Sequence, residues 1–194
     1  MSGNGAPEGP IYEVGFIHGR FQILHMDHMK YLLAGKALCR HLVVGITNPD
    51  PTLIREDTSD PNRSCGEANP LTYYERQVLI QESLTEAGID CREFTIVPFP
   101  VNLPELYFCY VPKDAVFFVS IYDDWGRKKR DTFIRLGLRT HVLWEVAPEQ
   151  KGLSGSDIRR AIVKNQPWEH LVPPVVARLL KRWNLSGRLQ SLRV

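Results

Sequence analysis

The chain has 194 residues, 43% of them hydrophobic and 24% charged, with a formal net charge of +2. These values fit one soluble α/β domain large enough to bury a stable core without staples. The charge is too small to indicate a nucleic-acid binder, so any electrostatic function must come from local clusters. No apolar run approaches ~20 residues, and nothing reads as a membrane span. Cysteines at 39, 65, 91 and 109 form no CxxC pair, which argues against a zinc knuckle or redox motif and fits a reducing cytoplasm. Residues 1–11 lack the basic and apolar regions of a signal peptide and read as a disordered leader ahead of one domain over 12–194.

"YEVGFIH" (12–18) is a short, apolar, β-rich run and predicts a buried strand. The "GRFQ" turn follows, then a helix over 27–38. "HLVVGIT" (41–47) predicts a second strand. Residues 48–70, with their prolines, asparagines and acids, form a long loop suited to closing as a lid. A helix over 71–88 starts on a Thr72 cap with Glu75 completing a capping box, and stops at Gly88. Strands are expected over 92–99, 114–121 and 139–146. Helices are expected over 127–137, ending on Gly137, over 154–165, and over 173–183 with proline in its first turn. The alternation predicts a parallel sheet covered on both faces, with 153–194 as a helical C-terminal part. Ligands in such sheets bind beyond the strand carboxyl ends, where the strand order reverses.

His25 and His28 flank Asp27 at the start of the first helix. A helix N-terminus attracts anions, and two imidazoles there can donate to phosphate oxygens. A zinc site would need a third ligand that no neighbouring Cys or His supplies. Two polar surface histidines are the plain alternative. "LSGSDIRRAI" (153–162) opens a later helix with Ser154, Gly155 and Ser156, and places Arg159 one turn inside. Alone it reads as a serine-capped helix. With the first motif at the same sheet edge it makes a second anion cradle, and the two together grip a triphosphate.

"GRFQ..H.DH" followed by "SGSDIR" resembles the HxGH nucleotidyltransferase superfamily. "GRFQ", "NPLTYYER", "EAGID", "IVPFPVN" and "QPWEHLVPPVV" resemble, in order, blocks of archaeal-type nicotinamide-mononucleotide adenylyltransferases. The resemblance covers residue 12 to about 190. It implies a Rossmann-like doubly wound five-stranded parallel sheet, order 3-2-1-4-5, with C-terminal helices. It also implies nucleotidyl transfer, in which a phosphate or phosphonate oxygen attacks the α-phosphorus of a nucleoside triphosphate and pyrophosphate leaves. His25, His28 and Arg159 would be catalytic, with Gly19, Arg20, Phe21, Ser154, Gly155 and Ser156 on the nucleotide side. Mg²⁺ would be held mainly by the phosphates. Homo-oligomers occur among the archaeal-type relatives.

The chain departs from that pattern at several points. Asp27 replaces the glycine of HxGH; it reads as a helix N-cap, with a metal contact as the alternative. "SIYDDWGRKKR" (120–130) replaces a threonine-glycine-asparagine turn. Most of its charges read as a solvated helix, yet one facing the switch point would suit a small, highly charged acceptor. The candidate acceptor residues are Asp123, Asp124, Trp125 and Arg127, together with Arg76 and the loop residues Arg55 and Arg63. For Arg76 a surface ion pair is the alternative. The chain is also similar to homologues from phosphonate antibiotic pathways that act as CTP-dependent phosphonoformate cytidylyltransferases. The expected partners are CTP or ATP and a small phosphonate or phosphate acceptor, without nucleic acid or membrane. Cytidylylation of a small phosphonate leads; NMN or nicotinate mononucleotide adenylylation is the alternative. A silent nucleotide sensor is the reading from another class.

Overall fold

The structure is a computed structural model that describes residues 9–50, 68–150 and 152–192, except for the side chains of Trp125 and Pro148. Most of the expected leader and most of the expected lid, with Arg55 and Arg63, lie outside the described residues.

Five parallel strands form the sheet: β1 (Tyr12–Gly19), β2 (Cys39–Thr47), β3 (Phe94–Phe99), β4 (Val116–Ile121) and β5 (Thr140–Glu145). Their order is β3-β2-β1-β4-β5, the doubly wound arrangement expected. The helices are α1 (Met26–Ala37), α2 (Tyr73–Glu86), α3 (Tyr107–Tyr110), α4 (Asp124–Arg135), α5 (Gly155–Val163), α6 (Pro174–Arg182) and α7 (Leu185–Ser191).

Alternation along the strands sends apolar side chains to both faces. Ile17 and Phe118 join a core with Leu32 of α1, Leu79 of α2, Ile158 of α5 and Leu180 of α6. Their neighbours Phe16 and Phe117 join a separate core with Phe99, Tyr107 of α3 and Phe133 of α4. The Thr72–Glu75 capping box forms as expected. Gly88 and Gly137 end their helices at positive φ, +85° and +73°.

The sheet opens at its centre. β1 pairs with β2 as far as Gly19. It pairs with β4 only across Gly15–Val116 and Phe16–Phe117. Past Phe16 the two strands diverge, at the place where the winding reverses. That is the crevice where α/β sheets hold ligands. Among the described residues, no helix is long and apolar enough to cross a membrane.

Candidate active site

Helix α1 begins at the crevice. Its N-cap is His25, in extended backbone (φ −140°), and His25 Nδ1 accepts from the His28 backbone N–H at 3.4 Å. The expected cap, Asp27, is already inside the first turn. A carboxylate is the commoner cap, but the chain enters α1 in extended form at His25. Because Nδ1 accepts, the proton of a neutral His25 sits on Nε2, where it can be donated to an anion.

The two rings stack with centroids 3.7 Å apart, and Phe21 meets His28 edge-on at 5.0 Å. Phe21 is buried, takes a positive φ of 52°, and lies against Gly19. Its role is to support His28 from the core. Burial pushes His25 down to about 4, against the opposing pull of Asp27 and Asp157. Burial and the neighbouring His25 hold His28 well below the usual imidazole range; a backbone bond at Ile23 works the other way, and Arg20 reinforces the lowering. Both rings are therefore neutral at pH 7 in the free protein. His28 Nδ1 is buried with no hydrogen-bond partner among the described residues.

Asp27 instead reaches across the fold. Its Oδ2 accepts from the Leu153 backbone N–H at 2.6 Å. That bond ties the start of α1 to the residue before Ser154. Gly152 makes room for it, since a Cβ there would overlap the Asp27 carboxylate. Gly155 has the same role a few residues later: a Cβ would overlap the Gln22 carbonyl. The close approach it permits is to the chain's own β1–α1 turn. Arg159 donates to that Gln22 carbonyl and, through Nη2, to Ser156 Oγ at 2.9 Å. Ser154 caps α5 and shares a capping box with Asp157, donating to its carboxylate at 2.6 Å. The two motifs are thus in direct contact.

The candidate acceptor residues are placed differently from one another. Arg76 is 2% exposed, so it is no surface ion-pairing residue. Its guanidinium donates to the carbonyls of Thr72, Arg20, Thr47 and Asn48 at 2.7–3.3 Å. It binds the ends of β1 and β2 to α2 beneath the cradle, and burial pushes it down to about 10. With four carbonyls on it, Arg76 is a scaffold rather than an acceptor ligand. Asp123 caps α4 through Gly126 N–H at 2.9 Å. Arg127 pairs outward with Asp124 and Glu145, each at 2.9 Å.

Several contributors escape a linear reading. Gln22 exchanges two hydrogen bonds with the Leu71 backbone, at 2.8 and 2.9 Å, and holds the β1–α1 turn to the start of α2. Gly152 and Asp157 shape the second motif. His18 lies on the face of β1 turned toward α4. Each depends on contacts between distant segments; a glycine beside SGS was the only local signal.

No family model matches the chain. A phosphonoformate cytidylyltransferase of Streptomyces viridochromogenes is 52% identical over 177 residues, covering 91% of this chain and 95% of the relative. A nicotinamide-nucleotide adenylyltransferase of Pyrococcus horikoshii is 26% identical over 179 residues, covering 92% of this chain and 88% of the relative. A bifunctional NMN adenylyltransferase/ADP ribose pyrophosphatase from Francisella tularensis superposes with a TM-score of 0.67 at 15% identity; 93% of this chain is covered, but only 52% of that longer chain. The same bifunctional protein has been solved with AMP and a manganese ion.

Proposed function

Because the chain belongs to the HxGH-type nucleotidyltransferases, in the family of phosphonoformate cytidylyltransferase and NMN adenylyltransferase, we propose that it transfers CMP from CTP to the phosphonate oxygen of a small phosphonate such as phosphonoformate. Nucleotidyl transfer to a small acceptor is the activity of the family. The choice of CTP and phosphonoformate is carried by one observation: identity of 52% to the cytidylyltransferase over nearly both lengths, against 26% to the adenylyltransferase.

In this reading an acceptor oxygen forms a bond to the α-phosphorus while the bond from the α-phosphorus to the β-bridging oxygen breaks. Pyrophosphate takes the electron pair. No covalent enzyme intermediate is needed, so the protein contributes position and charge neutralisation. His25 presents an Nε2–H to the phosphates at the α1 N-terminus. His28, neutral in the free protein, gains protonation as negative charge approaches. Arg159 is held at the cradle by Gln22 and Ser156. Arg20 adds positive charge near His28.

Among the described residues no three His, Cys, Asp or Glu side chains are grouped to hold a metal ion. Asp27 already accepts the Leu153 N–H, and Asp157 the Ser154 hydroxyl. The donor set fits Mg²⁺ that arrives on the triphosphate and keeps much of its water. When bound it would neutralise phosphate charge. The sensor reading depends on an obstructive Asp27; a carboxylate turned to Leu153 removes that motive.

The test is pyrophosphate release with Mg²⁺, crossing ATP, CTP, GTP and UTP against NMN, nicotinate mononucleotide and phosphonoformate. Release with CTP and phosphonoformate is expected. Release confined to ATP with NMN would replace this reading by NAD-forming adenylylation.

A further inference from the structure

Of the buried side-chain polar atoms without a partner among the described residues, two belong to imidazoles at the crevice: His28 Nδ1 and His18 Nε2. The first belongs to a histidine that the mechanism above assigns to the phosphates. The second has no role in it.

His18 is the penultimate residue of β1, on the stretch where β1 has left β4. It is 8% exposed. Its ring faces away from α1, toward the α4 side of the sheet, within 5.8 Å of Phe16, 5.1 Å of Phe99 and 5.6 Å of Phe133. Leaving an imidazole nitrogen unpaired among aromatic rings is unfavourable, because its lost hydration is not replaced. Packing alone gives no reason to place a polar ring there. Burial first, and the charge of Lys129 second, hold its pKa well below the usual range. Lys129 shares the Phe133 ring with His18: its Nζ lies 5.8 Å from that ring's centre, and the His18 ring 5.6 Å. Along the same helix Arg127 pairs with Asp124 and Glu145, and Arg130 with Asp131. Burial pushes Lys129 down to about 8, so it remains largely cationic at pH 7.

We propose that His18 and Lys129 form the subsite for a carboxylate carried by the acceptor, on the β4 side of β1, opposite the triphosphate cradle. The inference rests on the cytidylyl-transfer reading. An N–H donor and an ammonium between aromatic walls match a compact anion. A phosphonate whose carboxylate is one bond from phosphorus can present one group to the α-phosphorus and the other to this pair. A neutral carboxamide ring laid there would desolvate the ammonium further and offer no charge in return. The pair thus selects the acceptor, while the histidines of α1 serve the nucleotide.

The experiment measures pyrophosphate release from CTP with phosphonoformate and with methylphosphonate, which replaces the carboxylate by a methyl group. It uses the wild type, Lys129→Met and His18→Gln, with CTP affinity and thermal melting followed for each. Lys129→Met keeps length and apolar packing, so it covers the case in which the buried His18 variant fails to fold. The wild type is expected to prefer phosphonoformate. Lys129→Met should raise the phosphonoformate KM about 10-fold or more, leave CTP affinity unchanged, and erase the preference over methylphosphonate. A wild type that uses both phosphonates equally keeps cytidylyl transfer and overturns the subsite. So does an unchanged phosphonoformate KM in Lys129→Met. Activity only with ATP and NMN overturns the parent reading and the subsite with it.

Discussion

Asp27→Ala, set beside Asp27→Asn, tests whether the bond between the two phosphate motifs matters. The 2.6 Å bond from Leu153 N–H to the Asp27 carboxylate joins segments 126 residues apart. A charge-assisted bond to a half-buried carboxylate contributes about 1.5 kcal/mol, the low end for such bonds. If that energy holds the cradle in its binding form, its loss weakens triphosphate binding roughly tenfold. An opposite effect competes. A carboxylate repels bound phosphate by about 1 kcal/mol per charge at ~8 Å and an effective dielectric near ~40. Alanine removes both effects, so it cannot decide alone. Asparagine keeps an acceptor for Leu153 and removes only the charge. The expected order, by titration calorimetry with a non-hydrolysable triphosphate, is Asn at least as tight as wild type and Ala roughly 5–10-fold weaker than Asn. Gly152→Ala should resemble Asp27→Ala, because its Cβ displaces the carboxylate. The double variant Asp27→Ala/Gly152→Ala should cost no more than Asp27→Ala alone. Equal affinities for Ala and Asn, or additive losses in the double variant, would refute the reasoning.

Other expectations follow from the same geometry. His28→Ala should lower turnover by ~10²-fold or more while melting stays near wild type; unchanged kinetics in both His25→Ala and His28→Ala would dispose of the phosphate cradle. His25 has a depressed folded pKa, about 4 against 6.5, so the unfolded chain binds more protons between those values. Its contribution to stability is present above pH 6.5 and is lost as pH falls toward 4, by roughly 3 kcal/mol. Urea unfolding of wild type and His25→Asn at pH 7.5 and 4.5 measures it; equal pH dependence would contradict the assignment. Arg76→Lys cannot reach four carbonyls with one ammonium and should lose about 2–4 kcal/mol in chemical denaturation. An unchanged midpoint would show the carbonyl bonds to be dispensable. Arg188→Ala leaves Glu75 half-buried without its partner and should destabilise by about 1–2 kcal/mol at pH 7. The difference should shrink as pH drops through the lowered pKa of Glu75, which burial would raise but Arg188 and Thr72 hold down.

Those features of the fold set by local chemistry were legible in the sequence. Apolar runs marked every strand of the sheet, the Thr72–Glu75 spacing marked a helix start, and Gly88 and Gly137 marked stops. The two phosphate motifs could be recognised because each opens a helix. What they do to each other could not. Asp27 reads locally as a cap, and its actual partner is in another helix's approach. Arg76 reads as an acceptor residue or a surface ion-pairing charge because nothing near it in sequence reveals four carbonyls converging on it. Helix α7 escapes a sequence reading because it is short and polar and starts after a left-handed Asn184, which looks like the end of α6. His18 sits inside an apolar strand pattern that hides a polar residue.

The clasp between α7 and α2 has a consequence for how the protein is made. Arg188 donates to both oxygens of Glu75 at 2.8 Å and to the Pro70 carbonyl at 3.0 Å. Glu75 closes the box on Thr72, and the Thr72 carbonyl takes Arg76, which supports the turn that carries the histidines. The histidines leave the ribosome early, whereas the arginine that secures their support leaves among the last of the described residues. A nascent chain is therefore expected to hold its sheet before it holds nucleotide, and competence to bind arrives only once Arg188 has joined Glu75.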